Sequence, residues 1–139
     1  MKSVLILLTP LFCFLSACHQ QPNAVKENFS LNTAFTLQPQ DLITNVEEDL
    51  SLFWQTVKDR RCPEDNGCKG KGEATLQFEI AKGANKGYIE FSLPGQCYDQ
   101  SGKCGDTVEW ANYIISVIYL NNHPIAGERS DPQAYELRM

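Results

Sequence analysis

Residues 74–93 read ATLQFEIAKGANKGYIEFSL, and a period of two runs through both halves. Ala74, Leu76, Phe78 and Ile80 alternate with Thr75, Gln77 and Glu79, and Ile89, Phe91 and Leu93 alternate with Glu90 and Ser92. Successive side chains of an extended chain point to opposite faces, so this is the pattern of strands with one face buried and one wetted. The residues GANKG, Gly83 to Gly87, lie between the runs as a turn, and the stretch predicts an antiparallel hairpin. Farther out, YIISVIYL at 113–120 is β-branched and aromatic on both faces, which predicts a central strand stopped by Asn121-Asn122-His123-Pro124. Tyr135-Glu136-Leu137-Arg138 predicts a closing strand and Phe35-Thr36-Leu37 an opening one.

Residues 46–57 carry two periods at once. Leu50, Phe53, Trp54 and Val57 have the spacing of a helix face behind the acids Glu47, Glu48 and Asp49, whereas Leu50, Leu52 and Trp54 alternate as a strand does. The neighbouring segments are strands that need a partner for their apolar face, so this one is read as a strand. Roughly five to seven such strands, without repeats or crossover helices, predict an all-β fold, a small antiparallel β-sandwich or barrel.

The chain has 139 residues, 42% hydrophobic and 21% charged. Two domains would leave each core marginal, so one core is expected. Twelve Lys and Arg against seventeen Asp and Glu give −5, a field that repels nucleic acid, and no nucleic-acid partner is expected.

Met1-Lys2-Ser3 followed by the apolar run 4–15 forms a signal peptide, too short to span a membrane comfortably. It ends in Leu15-Ser16-Ala17-Cys18, which resembles the lipobox of bacterial lipoproteins. The resemblance implies acylation of Cys18, cleavage before it, and a membrane partner engaged through the lipid, since two or three acyl chains hold stably. It also implies the outer membrane, because His19 stands where an Asp would favour inner-membrane retention; the periplasmic face is the default and surface display the alternative. The other reading of the segment is an ordinary secretory signal with Cys18 left as a thiol. The expected organisation is a signal peptide over 1–17, a lipidated N-terminus and flexible polar tether over 18–33, and a single β-rich domain over 34–139.

Without Cys13 and Cys18, four cysteines remain: Cys62, Cys68, Cys97 and Cys104. In an oxidising compartment they are expected as disulfides, and of three pairings short spacing favours Cys62 with Cys68 and Cys97 with Cys104. Such loops contribute about 2 to 2.5 kcal/mol each in the chain-entropy model. Zinc is not expected, because the spacing within each pair exceeds that of structural sites, and neither is redox chemistry, because no C-x-x-C occurs. The same region, Asp59-Arg60-Arg61-Cys62-Pro63 with Cys68 and Gly72-Glu73-Ala74, resembles a D-x-R-C-P-x4-C-x3-G-x-A pattern of small exported bacterial lipoproteins of uncharacterised function. Arg60 stands where that pattern has Ser, and Lys69-Gly70-Lys71 where it has Trp or another apolar residue. The resemblance implies a disulfide loop entering a strand, and no activity.

No catalytic constellation is apparent: the only histidines are His19 and His123, and no G-x-S-x-G, H-E-x-x-H or phosphate-cradling motif occurs. Glu47, Glu48 and Asp49 read as a solvated acidic run. An enzyme, a metal and a cofactor are not expected. Lys58, Arg60, Arg61, Lys69 and Lys71 surround the first cysteine loop. Arg60, Arg61, Lys69 and Lys71, with Trp110, are the candidate partner-binding residues, although Arg61 has a structural alternative in pairing with Asp59, Glu64 or Asp65. The function expected is a membrane-anchored, non-catalytic binding module for an envelope protein, an inhibitor of a protein or hydrolase being one form. A structural or assembly accessory of the envelope is the alternative, followed by an unrecognised hydrolase or metal-binding protein.

Overall fold

The computed structural model describes residues 24–26 (backbone), 28–63, 70–95, 105–121, 124 and 131–139. Among these the chain is nearly all β, and no helix is long and apolar enough to cross a membrane. The strands are β1 (Ala24–Lys26), β2 (Thr36–Leu37), β3 (Asp41–Asn45), β4 (Leu50–Asp59), β5 (Glu73–Lys82), β6 (Asn85–Pro94), β7 (Asp106–Trp110), β8 (Tyr113–Val117), β9 (Tyr119–Leu120) and β10 (Leu137–Arg138). A five-stranded sheet runs β1-β3-β4-β5-β6; β2-β10-β9 form a three-stranded sheet and β7-β8 a hairpin. All pairings are antiparallel except β1 with β3. The arrangement is sandwich-like and does not close into a barrel.

The hairpin that decides the fold is β5-β6. Its inward residues, Ala74, Leu76, Phe78 and Ile80 on β5 and Ile89, Phe91 and Leu93 on β6, are all buried. Phe78 stacks on Trp54 and meets Phe91 edge-on. The turn is tighter than the glycine cluster suggests: Lys82 pairs with Asn85, leaving only Gly83 and Ala84 between them, with Gly83 at φ +55°.

Segment 46–57 is a strand, and a β-bulge explains its double periodicity. The β4–β5 register runs Trp54 with Phe78 and then Thr56 with Gln77, so Gln55 is the extra residue. Before it Leu50, Leu52 and Trp54 face the core; after it the inward phase passes to Val57 and Asp59. Two strand phases joined out of step therefore imitate a helical repeat. The Trp54 indole N–H donates to the Thr56 carbonyl (3.0 Å) and the Gln40 side-chain amide to that of Gln55, so the bulge's carbonyls are satisfied.

A second bulge divides 113–120. Ile118 N–H donates to the Arg138 carbonyl (2.8 Å) although the strand register pairs Arg138 with Tyr119. The buried positions accordingly pass from Ile115 and Val117 to Leu120. This corrects the expectation of a central strand covered on both faces: among the described residues β8 pairs only with β7, and Ile114 is 72% exposed. Parts of 18–33, the stretch expected as a tether, pair with the sheet. β1 is hydrogen-bonded along β3, and Phe29 is buried with its N–H donating to the Thr44 carbonyl (3.1 Å). Backbone pairing draws this polar stretch into the sheet without the apolar alternation that would announce it.

Truncating Leu76, fully buried in β5, should cost about 2–5 kcal/mol as a core cavity, whereas Ile114→Ala should stay within about 0.5 kcal/mol. Urea unfolding of the two variants checks this contrast.

Candidate functional site

Beyond its bulge β4 points Asp59 inward, and the chain bends back so that Arg61 meets it. Arg61 Nη2 lies 2.6 Å from Asp59 Oδ2, Nε donates to both carboxylate oxygens at 3.0 Å, and the backbone N–H donates to Oδ1 at 2.9 Å. Arg61 Nη1 donates to the Leu120 carbonyl at 3.2 Å. The two side chains are only 2% and 4% exposed. Asp59 and Ala74 are cross-strand partners, so a small residue stands beside the buried pair. Gly72 has φ +64°, and a Cβ there would collide with the Arg60 carbonyl oxygen. The backbone ladder continues past the strand ends as Arg60 N–H donates to Glu73 (2.8 Å) and Cys62 N–H to Lys71 (3.1 Å). The spaced residues Asp59, Arg61, Gly72 and Ala74 thus build one strand-end clamp around a buried ion pair.

This withdraws Arg61 from the candidate binding surface, since its guanidinium is spent on Asp59 and Leu120. Arg60 and Lys71 remain exposed, and Lys69 lies outside the described residues. Trp110 is half-buried against the core, where a Cβ on Gly87 would press on its indole nitrogen. Cys62 is disulfide-bonded. Cys68, Cys97 and Cys104 lie outside the described residues, as do Cys18, His19 and His123.

A concave feature lies elsewhere. An open groove of about 380 Å³ runs between residues 29–35 on one wall and 113–118 on the other, over a floor that includes Leu50 and Leu52. Its lining is apolar, with hydroxyl and amide groups from Ser30, Asn32, Thr33 and Ser116. Leu31 (41% exposed) and Ile114 stand on its rims. At one end Met139 sits between the walls: Met139 and Phe35 exchange two backbone hydrogen bonds at 3.0 Å, and the adjacent Arg138 accepts from Ile118.

At the other end three polar side chains tie β8 to the large sheet. The Tyr113 hydroxyl donates to Glu48 Oε2 (2.6 Å) and accepts from Lys82 Nζ, which also reaches Glu48 Oε2 (3.1 Å) and the Glu48 carbonyl (3.0 Å). The ammonium also lies 4.7 Å from the centre of the Tyr113 ring. The Tyr113 hydroxyl, then Lys82, hold the Glu48 carboxyl below its ordinary value of 4.5. Tyr113 and then Glu48 raise Lys82 above 10.5. No family model, curated protein or solved structure matches the chain.

What this arrangement offers chemically is apolar contact beside a row of backbone groups. The sequence pattern misses the groove because 28–33 reads as polar tether, and because the paired isoleucines Ile114-Ile115 read as two covered faces. That doubled apolar residue, one member of which is exposed, is the signal that was available.

Two tests follow from these geometries. Arg61→Ala leaves Asp59 buried without its partner and should cost about 3–5 kcal/mol in denaturant unfolding. Glu48 is lowered in the fold, so its contribution is present above pH 4.5 and lost as pH falls through the folded value; Lys82 is raised, so its contribution is present below pH 10.5 and lost as pH rises through its folded value. The difference in urea midpoint between the parent and Glu48→Gln should therefore shrink on acidification below pH 4.5.

Proposed function

We propose that this chain is a lipid-anchored bacterial envelope protein whose β-domain is a non-catalytic binding module for a partner protein. The observation that carries the reading is the groove between 29–35 and 113–118, apolar, open and rimmed by exposed Leu31 and Ile114. Large apolar side chains left at the edge of a concave surface lose contact with water only when something docks there. The exposed Arg60 and Lys71 lie by the strand-end clamp and add cationic contacts for an acidic rim of the same partner.

The lipobox-like Leu15-Ser16-Ala17-Cys18 supports attachment at Cys18, and His19 supports the outer membrane with the domain facing the periplasm. In this reading the protein holds its partner at the membrane, and inhibition of an envelope hydrolase is one form that such capture takes. The disulfide pairs proposed are Cys62 with Cys68 and Cys97 with Cys104.

Photo-crosslinkers placed in living cells at Leu31 and Ile114 should capture one and the same protein. A probe at Tyr88, equally exposed on β6, should capture none; indiscriminate or absent capture from all three would leave an accessory without a discrete ligand. Labelled fatty acid should enter the mature protein, and Cys18→Ala should abolish both labelling and membrane recovery. Processing unchanged in that variant would refute the anchor.

A further inference from the structure

The two walls of the groove are the two neighbours of β10, prolonged beyond its end. β10 pairs with β2 on one side and β9 on the other, with Leu137 opposite both Leu37 and Leu120. Continuing both ladders past Met139 leads along Ala34 and Thr33, as far as the turn at Leu31–Asn32 (Asn32 φ +60°), on one side and along Ser116 to Tyr113 on the other, and these residues line the groove. At its mouth, where Arg138–Met139 bridges Phe35 and Ile118, the opening is two inter-strand spacings across, about 9–10 Å, the room that one strand occupies.

The backbone of β8 fits this. Trp110 and Tyr113 close a two-residue turn in which Ala111 and Asn112 both have positive φ (46° and 68°), so they form the bonded pair of the hairpin. Bonding alternates from there, which turns the N–H and C=O groups of Tyr113, Ile115 and Val117 toward β7 and those of Ile114 and Ser116 toward the groove. Ile118 continues the same parity, and its N–H is the one that reaches Arg138. Among the described residues no strand pairs with β8 on that side.

Resting on the binding-module reading, we infer that the ligand is an extended segment of the partner protein, added as a strand antiparallel to β8 and in line with β10. Its backbone exchanges hydrogen bonds with Ile114 and Ser116. Every second side chain points down toward Leu50 and Leu52, so the segment carries small or medium apolar residues at alternate positions. Backbone pairing supplies affinity and the alternate pockets supply sequence preference.

The test places Thr-Val-Thr-Val-Thr directly after Met139, which puts both valines inward if the strand forms. Amide exchange by NMR should slow at least about tenfold at Ile114 and Ser116 and stay nearly constant at Tyr113, Ile115 and Val117, already bonded to β7. The same extension with proline at its first and third residues should lose that protection. In cells the valine extension should also abolish capture of the partner from Ile114. If protection lacks this parity, strand addition is overturned, while partner capture at Ile114 in the unextended chain keeps the binding-module reading intact. If parity appears but capture persists, the partner does not enter as a strand. Should the unextended chain dimerise, with Ile114 and Ser116 losing protection on dilution, the slot belongs to a second copy and the assignment to a partner falls.

Discussion

A single buried guanidinium holds the two sheets in relation to each other. Arg61 binds Asp59 at the end of β4 and the carbonyl of Leu120 in β9, so the end of a long strand of the large sheet and an edge strand of the small one share one donor. Taking both charges out of water costs roughly what their attraction returns, and an apolar replacement of matched shape would hold comparably well. What the pair supplies is position. Leu120 fixes β9, β9 fixes β10, and at the end of β10 Arg138 meets Ile118 and the following Met139 meets Phe35. The groove's mouth is placed by a contact on the far side of its own strand.

Much of the fold was legible before any coordinates. The alternation through β5 and β6 needs no tertiary information, because each strand buries one face and wets the other. The short strands at Phe35-Thr36-Leu37 and Tyr135 to Arg138 were also readable, the former as β2 with Phe35 beside it, the latter as β10 preceded by buried Tyr135. Asp59 was among the partners available to Arg61, but not the reach to Leu120, a contact across 59 positions in the sequence. The ambiguity at 46–57 had a physical origin in the bulge at Gln55, since periodicity assumes a constant phase and a bulge resets it.

The site was much less legible, and for related reasons. Ile118 resets the phase of 113–120 just as Gln55 does in β4, and in both places the reset lets one continuous segment serve two environments. The run 113–120, β-branched and aromatic on both faces, predicts a strand covered on both, and Ile114 is the isoleucine that the structure leaves exposed. Its exposure is the departure from consistency that marks a surface kept for something else. Residues 28–33 were equally opaque: they take their place through main-chain bonds and one buried aromatic ring, and neither leaves a periodic trace. The basic cluster, conspicuous in the sequence, proved partly structural once Arg61 was placed.

The parallel pairing of β1 with β3 sets the scale of the proposed anchorage. With Ala24 already in the sheet beside Asp41, only residues 19–23 separate the domain from an acylated Cys18. Six consecutive Cα–Cα steps span at most about 20 Å, which bounds the distance from Cys18 to Ala24. From Ala24 the strand runs in the direction of β3, toward the turn that bears Glu48, so the Tyr113 end of the groove is carried away from the lipid. Under the proposed anchorage, a domain held so closely would patrol a thin layer above one leaflet. Encounters with a partner in the same membrane would then become a search over a surface, where a modest affinity per contact suffices for lasting occupancy.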